Sequence, residues 1–177
     1  YNELCRYLSL AHNYCQPTAI FLAITHGVSG TGKSTVADGL VAAGGAVRVR
    51  SDVERKRLFG LAPEQRSDPA DQERLYSAAM SRQTFERLEQ LALITLEAGF
   101  AVIVDATFLH RRTRDQFRHL AERLALPFVI IDCSGAPTAQ LRRRLERRQQ
   151  EGEDASEAGV RVMEDQLGAD QPLAGVE

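Results

Sequence analysis

Short apolar runs alternate with longer stretches of helical period along this chain. Ile20-Phe21-Leu22-Ala23-Ile24-Thr25, Ala46-Val47-Arg48-Val49-Arg50, Phe100-Ala101-Val102-Ile103-Val104-Asp105 and Pro127 through Cys133 read as strands. The first and third are nearly continuous in apolar residues, as strands covered on both faces are. A helix is predicted over about 35–43, ending at Gly44 or Gly45, and a short one through Leu58 with Ser51 or Asp52 as its cap. Residues 60–70, with Gly60, Pro63 and Pro69, read as a loop. A long helix is predicted over 71–98, with Leu75, Ala79, Leu88, Leu91, Ala92 and Leu96 on one face and Gly99 as its stop. Further helices are expected at 110–125 and, rich in Arg, at 137–150. Asp154-Ala155-Ser156-Glu157 resembles a capping box opening a last helix to about Leu167. Leu4, Leu8, Ala11 and Cys15 place an amphipathic helix before Pro17. Strands alternating with helices predict βαβ units and a mostly parallel sheet.

In such a sheet, ligands bind beyond the carboxyl ends of the strands. The chemistry along the chain falls there. Gly27-Val28-Ser29-Gly30-Thr31-Gly32-Lys33-Ser34 follows the first strand and fits G-x-x-x-x-G-K-[ST], the phosphate-binding P-loop. Its glycines let successive N–H groups face one concavity, Lys33 sets a point charge on the β- and γ-phosphates, and the Ser34 hydroxyl suits a Mg²⁺ position. The following helix aims its positive end at the same anion. Only two of the 22 Lys and Arg residues are lysines, Lys33 and Lys56, so a lysine at this position is not compositional noise.

Two carboxylates belong to the same edge. Asp105 ends an apolar strand in the Walker-B manner and can serve a metal, directly or through water, or fix a neighbouring arginine. Asp52 follows the second strand with Arg55 on the same helical face, a pairing suited to accepting the proton of an attacking hydroxyl. The Arg-rich helix places Arg144, Arg147 and Arg148 on one face, where one or two can close over phosphates as a lid. His12, His26, His110 and His119 show no ligand spacing, and His26 reads as a structural partner of the loop.

The bulk properties narrow the class. The chain has 177 residues, 44% hydrophobic and 26% charged, with a net charge of −2, as expected of a globular domain without the basic signature of duplex binding. No apolar run reaches membrane-spanning length. Cys5, Cys15 and Cys133 show neither C-x-x-C nor zinc spacing, which suits a reducing, cytoplasmic setting.

The segments Gly27 to Thr35, Arg50-Ser51-Asp52-Val53-Glu54-Arg55, and Asp105-Ala106-Thr107 with Arg114 beyond resemble the P-loop kinase superfamily. Within it the chain is similar to the predicted-kinase group related to zeta toxins and to the kinase domain of polynucleotide kinases. The resemblance implies a three-layer α/β P-loop kinase fold over 19–169, with a mostly parallel sheet of four to five strands and an Arg-rich lid helix. Residues 1–18 would be an N-terminal helix, docked on the domain or forming the tail of an upstream domain, and 170–177 a tail. ATP and Mg²⁺ are the implied cofactors. Gly27, Val28, Ser29, Gly30, Thr31, Gly32, Lys33, Ser34 and Thr35 would hold the nucleotide, and Ser34 and Asp105 the metal. Lys33, Asp52 as general base, its partner Arg55, and Arg144 or Arg148 from the lid would act in transfer. Asp52, Arg55, Asp105, Thr107 and Arg114 would face the acceptor.

Group members also occur fused behind a domain resembling aminoglycoside phosphotransferases, and a chain starting at Tyr1 suits an excised half. Polynucleotide kinases carry Asn after Asp-x-Thr where this chain has Phe108, which argues against a 5′-hydroxyl nucleic-acid acceptor. The expected activity is transfer of a phosphoryl group from ATP to a small hydroxyl-bearing molecule. The rivals are a regulatory ATP-binding module of a larger protein and a 5′-hydroxyl polynucleotide kinase. The mixed segment 56–85, with Arg57, Arg66, Arg74, Tyr76 and Arg82, is expected to line the acceptor side for an anionic or sugar-like molecule.

Overall fold

The computed structural model describes residues 3–5, 7–8, 19–68, 70–151 and 155–174. Its strands are β1 (Leu22–His26), β2 (Val47–Arg50), β3 (Val102–Asp105) and β4 (Phe128–Asp132). All pair in parallel in the order β2-β3-β1-β4. The helices are α1 (Lys33–Gly44), α2 (Ser51–Phe59), α3 (Gln72–Leu75), α4 (Ala78–Glu97), α5 (Arg111–Arg123), α6 (Thr138–Glu151) and α7 (Val160–Ala169).

The period-two alternation of β1 sorts its side chains between two layers. Leu22 and Ile24 join Val49, Leu88, Leu96, Phe117 and Leu120 in a core shared with α4 and α5. Ala23 faces the other way, with Ala37, Ala46, Ala101 and Ile103, where small side chains let α1 lie close to the sheet. A third cluster of Val28, Leu109, Leu141, Leu145 and Met163 seats α6 and α7 beside the P-loop. Helices therefore cover both faces of a four-stranded parallel sheet, as the alternation of elements implies. At the amino end, Glu3–Cys5 and Tyr7–Leu8 are helical and exposed; Ala11 and Cys15, the rest of the expected apolar face, lie outside the described residues.

Local predictions fail at four places. The helix expected over 71–98 is interrupted at Tyr76 and Ser77. Ser77 is extended (φ −62°, ψ 156°) and its side chain accepts a hydrogen bond from Met80 N, so a serine cap overrides the helical period. Leu75 is buried on the far side of that break, whereas Ala79 turns to solvent. Neither Ser51 nor Asp52 caps α2: Arg50 holds the N-cap position without a side-chain capping bond to the helix, and Asp52 sits inside the first turn. The helix after the P-loop starts earlier than expected, at Lys33.

The capping box is also absent. Gly159 is the N-cap of α7, while Ser156 and Glu157 are buried in irregular chain before it; Asp154 lies outside the described residues. Glu157 is drawn instead to a residue far away in sequence, pairing with Lys56 Nζ at 2.9 Å. Its carboxylate also accepts hydrogen bonds from Ser67 N (3.0 Å) and Ser67 Oγ (2.6 Å).

Burial alone would raise the Glu157 carboxyl above its usual value. The bonds from Ser67 and Lys56 outweigh burial and hold it below. A depressed carboxyl contributes stability that is present above the unfolded-state value and fades as pH falls through the folded one. Stability against urea should therefore decline on acidification below about pH 4.5, the region where an unfolded glutamate titrates. The decline should be shallower in Glu157→Gln than in the wild type; equal slopes would show that Glu157 does not carry it.

Candidate active site

β1 runs directly into the phosphate-binding loop, and the loop's shape depends on two close approaches. Gly27 adopts φ +131°, and a Cβ there would sit 3.0 Å from Thr31 Oγ1 and 3.3 Å from the Cys133 carbonyl carbon. Gly30 adopts φ +88°, and a Cβ there would meet Leu145 Cγ of α6 at 3.2 Å. Both positions exclude a side chain on sterics and backbone conformation. Thr31 Oγ1 donates to Val28 O at 2.9 Å, and Gly27 N donates to Thr107 O at 3.1 Å, which ties the loop to the turn after β3. His26 is buried, with Nδ1 3.1 Å from Asp132 Oδ1 and Nε2 3.3 Å from Asp170 Oδ1, the bracing role expected of it.

A cleft of about 1130 Å³ opens above the loop. Ser29, Gly30, Thr31, Gly32, Lys33, Ser34 and Thr35 form its floor. Gly27 and Val28 sit beneath as the root, with Val28 buried in the cluster under α6 and α7. Asp52, Arg55, Asp105, Thr107, Arg144 and Arg148 all line the same cleft. The parallel topology thus gathers nearly all of the sequence-derived site residues in one place.

Lys33 Nζ donates to Val28 O at 2.8 Å. Burial pushes its ammonium below the ordinary lysine value, while the fields of Asp105 and Asp52 oppose that drop. Ser34 Oγ donates to Asp105 Oδ2 at 2.8 Å. Arg55 Nη1 donates to Asp52 Oδ1 at 2.7 Å. From α6, Arg144 Nη1 donates to Gly30 O at 3.2 Å and Arg148 Nη2 to Ala158 O at 2.6 Å, so the helix lies against both the loop and the segment before α7.

Arg114 departs from its expected place. It is wholly buried, outside the cleft lining, and Nη1 donates to the carbonyls of Phe108 and Leu109, each at 3.0 Å. The reason lies in the turn it supports. Phe108 has φ +44°, a backbone that bulky residues rarely adopt. Its ring is locked edge-on against Phe85 and Phe117, with centroids 5.2 and 4.9 Å away. Arg114 thus holds the strained turn that presents Thr107, and does not itself reach the cleft.

The arginines of segment 56–85 do not line the cleft either. Arg57 pairs with Glu54, and Arg74 pairs with Asp71 and rests over the Phe59 ring. Arg66 and Arg82 are exposed. Tyr76, Ser81 and Phe85 supply that wall instead.

Arg48 and Gln166 also line the cleft and escaped the sequence reading. Arg48 donates through Nε and Nη2 to Asp105 Oδ2 and through Nη1 to Asp38, making it the neighbouring arginine that Asp105 fixes. The alternation Val47-Arg48-Val49-Arg50, which puts two charges on one strand face beside the loop, was the available signal. Gln166 of α7 accepts from Ser29 N at 2.7 Å, and nothing local in the sequence marks it.

The donor set fits Mg²⁺. A serine hydroxyl and a carboxylate in contact, Ser34 and Asp105, offer hard oxygens. No group of three or more His, Cys, Asp or Glu that could hold a metal occurs among the described residues. A cation here would complete its shell with phosphate oxygens and water, which is the usual manner of Mg²⁺.

Comparison with known proteins agrees with this geometry. The AAA_33 model, described as an AAA domain, matches residues 22–173. The chain belongs to the AAA_33 family. An uncharacterized protein of Mycobacterium tuberculosis is 30% identical to this AAA_33 chain over 132 residues, 75% of the chain and 26% of the relative. The chain spans about a quarter of the length of the curated relatives it matches. A sugar kinase from Janibacter sp. HTCC2649 superimposes with a TM-score of 0.63 at 21% identity, covering 89% of this chain and 82% of the other. A chain of the Pnkp1/Rnl/Hen1 RNA repair complex superimposes with a TM-score of 0.62 at 19% identity, covering 88% and 45%. At these identities the structures share the fold, that of P-loop kinases.

The assignment of Arg114 is testable by unfolding. Arg114→Met leaves the Phe108 and Leu109 carbonyls without this donor and should cost about 2–4 kcal/mol. The urea midpoint reads the loss, and a change under about 0.5 kcal/mol would refute the supporting role.

Proposed function

We propose that this AAA_33 domain transfers the γ-phosphoryl group of ATP to a hydroxyl of a small molecule. The observation that carries the reading is the Asp52–Arg55 pair, joined at 2.7 Å and facing Lys33 across one cleft. A module that only binds and releases nucleotide needs no carboxylate–arginine pair opposite its phosphate lysine.

In this reading Ser29 to Thr35 receive the phosphates through backbone N–H groups, helped by the amino end of α1. Lys33 leaves Val28 O for the β- and γ-oxygens. The acceptor oxygen, placed by Arg55 and Thr107, attacks the γ-phosphorus in line. The bond from that phosphorus to the β,γ-bridging oxygen breaks, ADP leaves, and the acceptor proton passes to Asp52. Arg144 and Arg148, freed from their carbonyls, bring charge to the transferring group from the lid side. Mg²⁺, when held by Ser34 and Asp105, supplies further neutralisation of the phosphate oxygens. Positioning and electrostatics perform nearly all of this chemistry. Among the described residues no helix is long and apolar enough to cross a membrane.

A 5′-hydroxyl polynucleotide kinase is the second reading, favoured by the likeness to the Pnkp1 complex. Against it, Phe108 is fully buried among rings and offers the cleft no polar group. A regulatory role in a longer protein is the third, favoured by the quarter-length match to relatives.

The deciding assay follows γ-labelled phosphate from ATP in the presence of Mg²⁺ with water, a metabolite extract or a 5′-hydroxyl oligonucleotide. Label should pass to a small metabolite, and Asp52→Asn should lower transfer by at least about 10²-fold with ATP affinity kept. Unchanged transfer in that variant would remove Asp52 from the chemistry, and label on the oligonucleotide alone would install the second reading. Lys33→Ala should weaken ATP binding by about tenfold or more; wild-type affinity there would refute the loop assignment.

A further inference from the structure

The second lysine of the chain is as buried as the core. Lys56 is 2% exposed, and its Nζ donates to Pro63 O at 3.0 Å and Gln65 O at 2.8 Å while pairing with Glu157 at 2.9 Å. An ammonium spreads three donors tetrahedrally onto such converging acceptors, whereas a planar guanidinium cannot. In a chain that otherwise uses arginine for its cations, this choice is structural. The Glu157 carboxylate is equally well supplied, by Lys56 and by both polar groups of Ser67. Buried ion pairs add little net stability even when satisfied, but they can fix how elements meet. This pair fixes the irregular residues 155–158 against α2 and the loop after it.

Both walls of the cleft meet at that point. Glu157 N donates to Tyr76 Oη at 3.2 Å. The Tyr76 ring lies 5.0 Å beneath the Arg55 guanidinium, and Arg55 holds Asp52. One residue on, Ala158 O receives Arg148 from the lid helix. The break at Tyr76–Ser77 turns Tyr76 into the cleft, so an interruption of helical periodicity also serves the site.

We propose that Lys56, Glu157 and Tyr76 are positioning residues that set the Asp52–Arg55 acceptor pair from the root of the lid helix. This rests on the reading of Asp52–Arg55 as the acceptor-side pair. Residues 157–158 join the two walls in one backbone step, so the arrangement of the acceptor pair follows the seating of the lid. The hydroxyl and the ring of Tyr76 do separate work: the first is tied to Glu157, the second carries Arg55.

Arg55 itself provides the probe. Its Nε is buried without a hydrogen-bond partner among the described residues, and its guanidinium carbon lies 5.0 Å from the Tyr76 ring centroid, so the Nε–H signal responds to the placement of that ring. In ¹H–¹⁵N spectra of arginine side chains, with Arg55→Lys identifying the signal, the wild-type Nε–H should appear upfield. Tyr76→Phe, which removes one hydroxyl, and Glu157→Gln should each move that signal by more than its linewidth. ATP affinity should stay within about twofold, while kcat for the acceptor found by the label assay should fall by about tenfold to a hundredfold. If Glu157→Gln fails to fold, Tyr76→Phe decides alone. An Arg55 signal fixed at its wild-type position, or ATP affinity falling as steeply as kcat, would overturn the relay. Retained transfer in Asp52→Asn would instead overturn the acceptor reading beneath it, even with the Arg55 signal moving as expected.

Discussion

The two-sided pairing of β1 is the constraint on which the rest depends. β1 is hydrogen-bonded in register to β3 on one flank and β4 on the other, with Ile24 opposite both Val104 and Ile130. Parallel pairing brings every carboxyl end to one edge, so the P-loop, the turn after Asp105 and the turn at Cys133 leave the sheet together. Gly27 can pass close to Cys133, and Gly27 N can reach Thr107 O, because their strands are locked to the one between them. The phosphate loop inherits its rigidity from this pairing.

The two aspartates at that edge have unlike surroundings. Asp105 is enclosed, its Oδ2 receiving Ser34 and Arg48, and it keeps the loop, β2 and α1 in contact through the Arg48 bridge to Asp38. Asp52 lies more open, with Arg55 donating to its Oδ1, at the rim where a second molecule can approach. One carboxylate suits holding and the other suits exchange with an incoming hydroxyl, which agrees with the division of labour in the proposed transfer.

The P-loop, the parallel sheet and the gathering of Asp52, Asp105, Arg144 and Arg148 around one cleft were legible because each follows from local pattern plus one topological rule. The boundaries that were not legible lost to distant partners. Ser156 and Glu157 have the local chemistry of a helix cap, but Lys56 and Ser67, both far earlier in the chain, offered the carboxylate a better-satisfied buried site. Arg114 is expected from the resemblance to face the acceptor, but the carbonyls of Phe108 and Leu109, in a turn strained at Phe108, receive its guanidinium and help make its complete burial tolerable. Ser77 carried a cap signal of its own, which the continuous apolar spacing across it concealed.

The pairing of one lysine with the phosphate loop and the other with Glu157 leaves no lysine ammonium on the outer surface, since both are buried. Lysine-directed acylating reagents therefore find the side-chain amine of Lys33 only through the mouth of the cleft, and that of Lys56 only when residues 155–158 lift away. The outer face presents guanidinium groups in their place, which stay cationic at any ordinary pH and resist such reagents. Lysine chemistry on this fold is confined to its two structural knots and reports their opening.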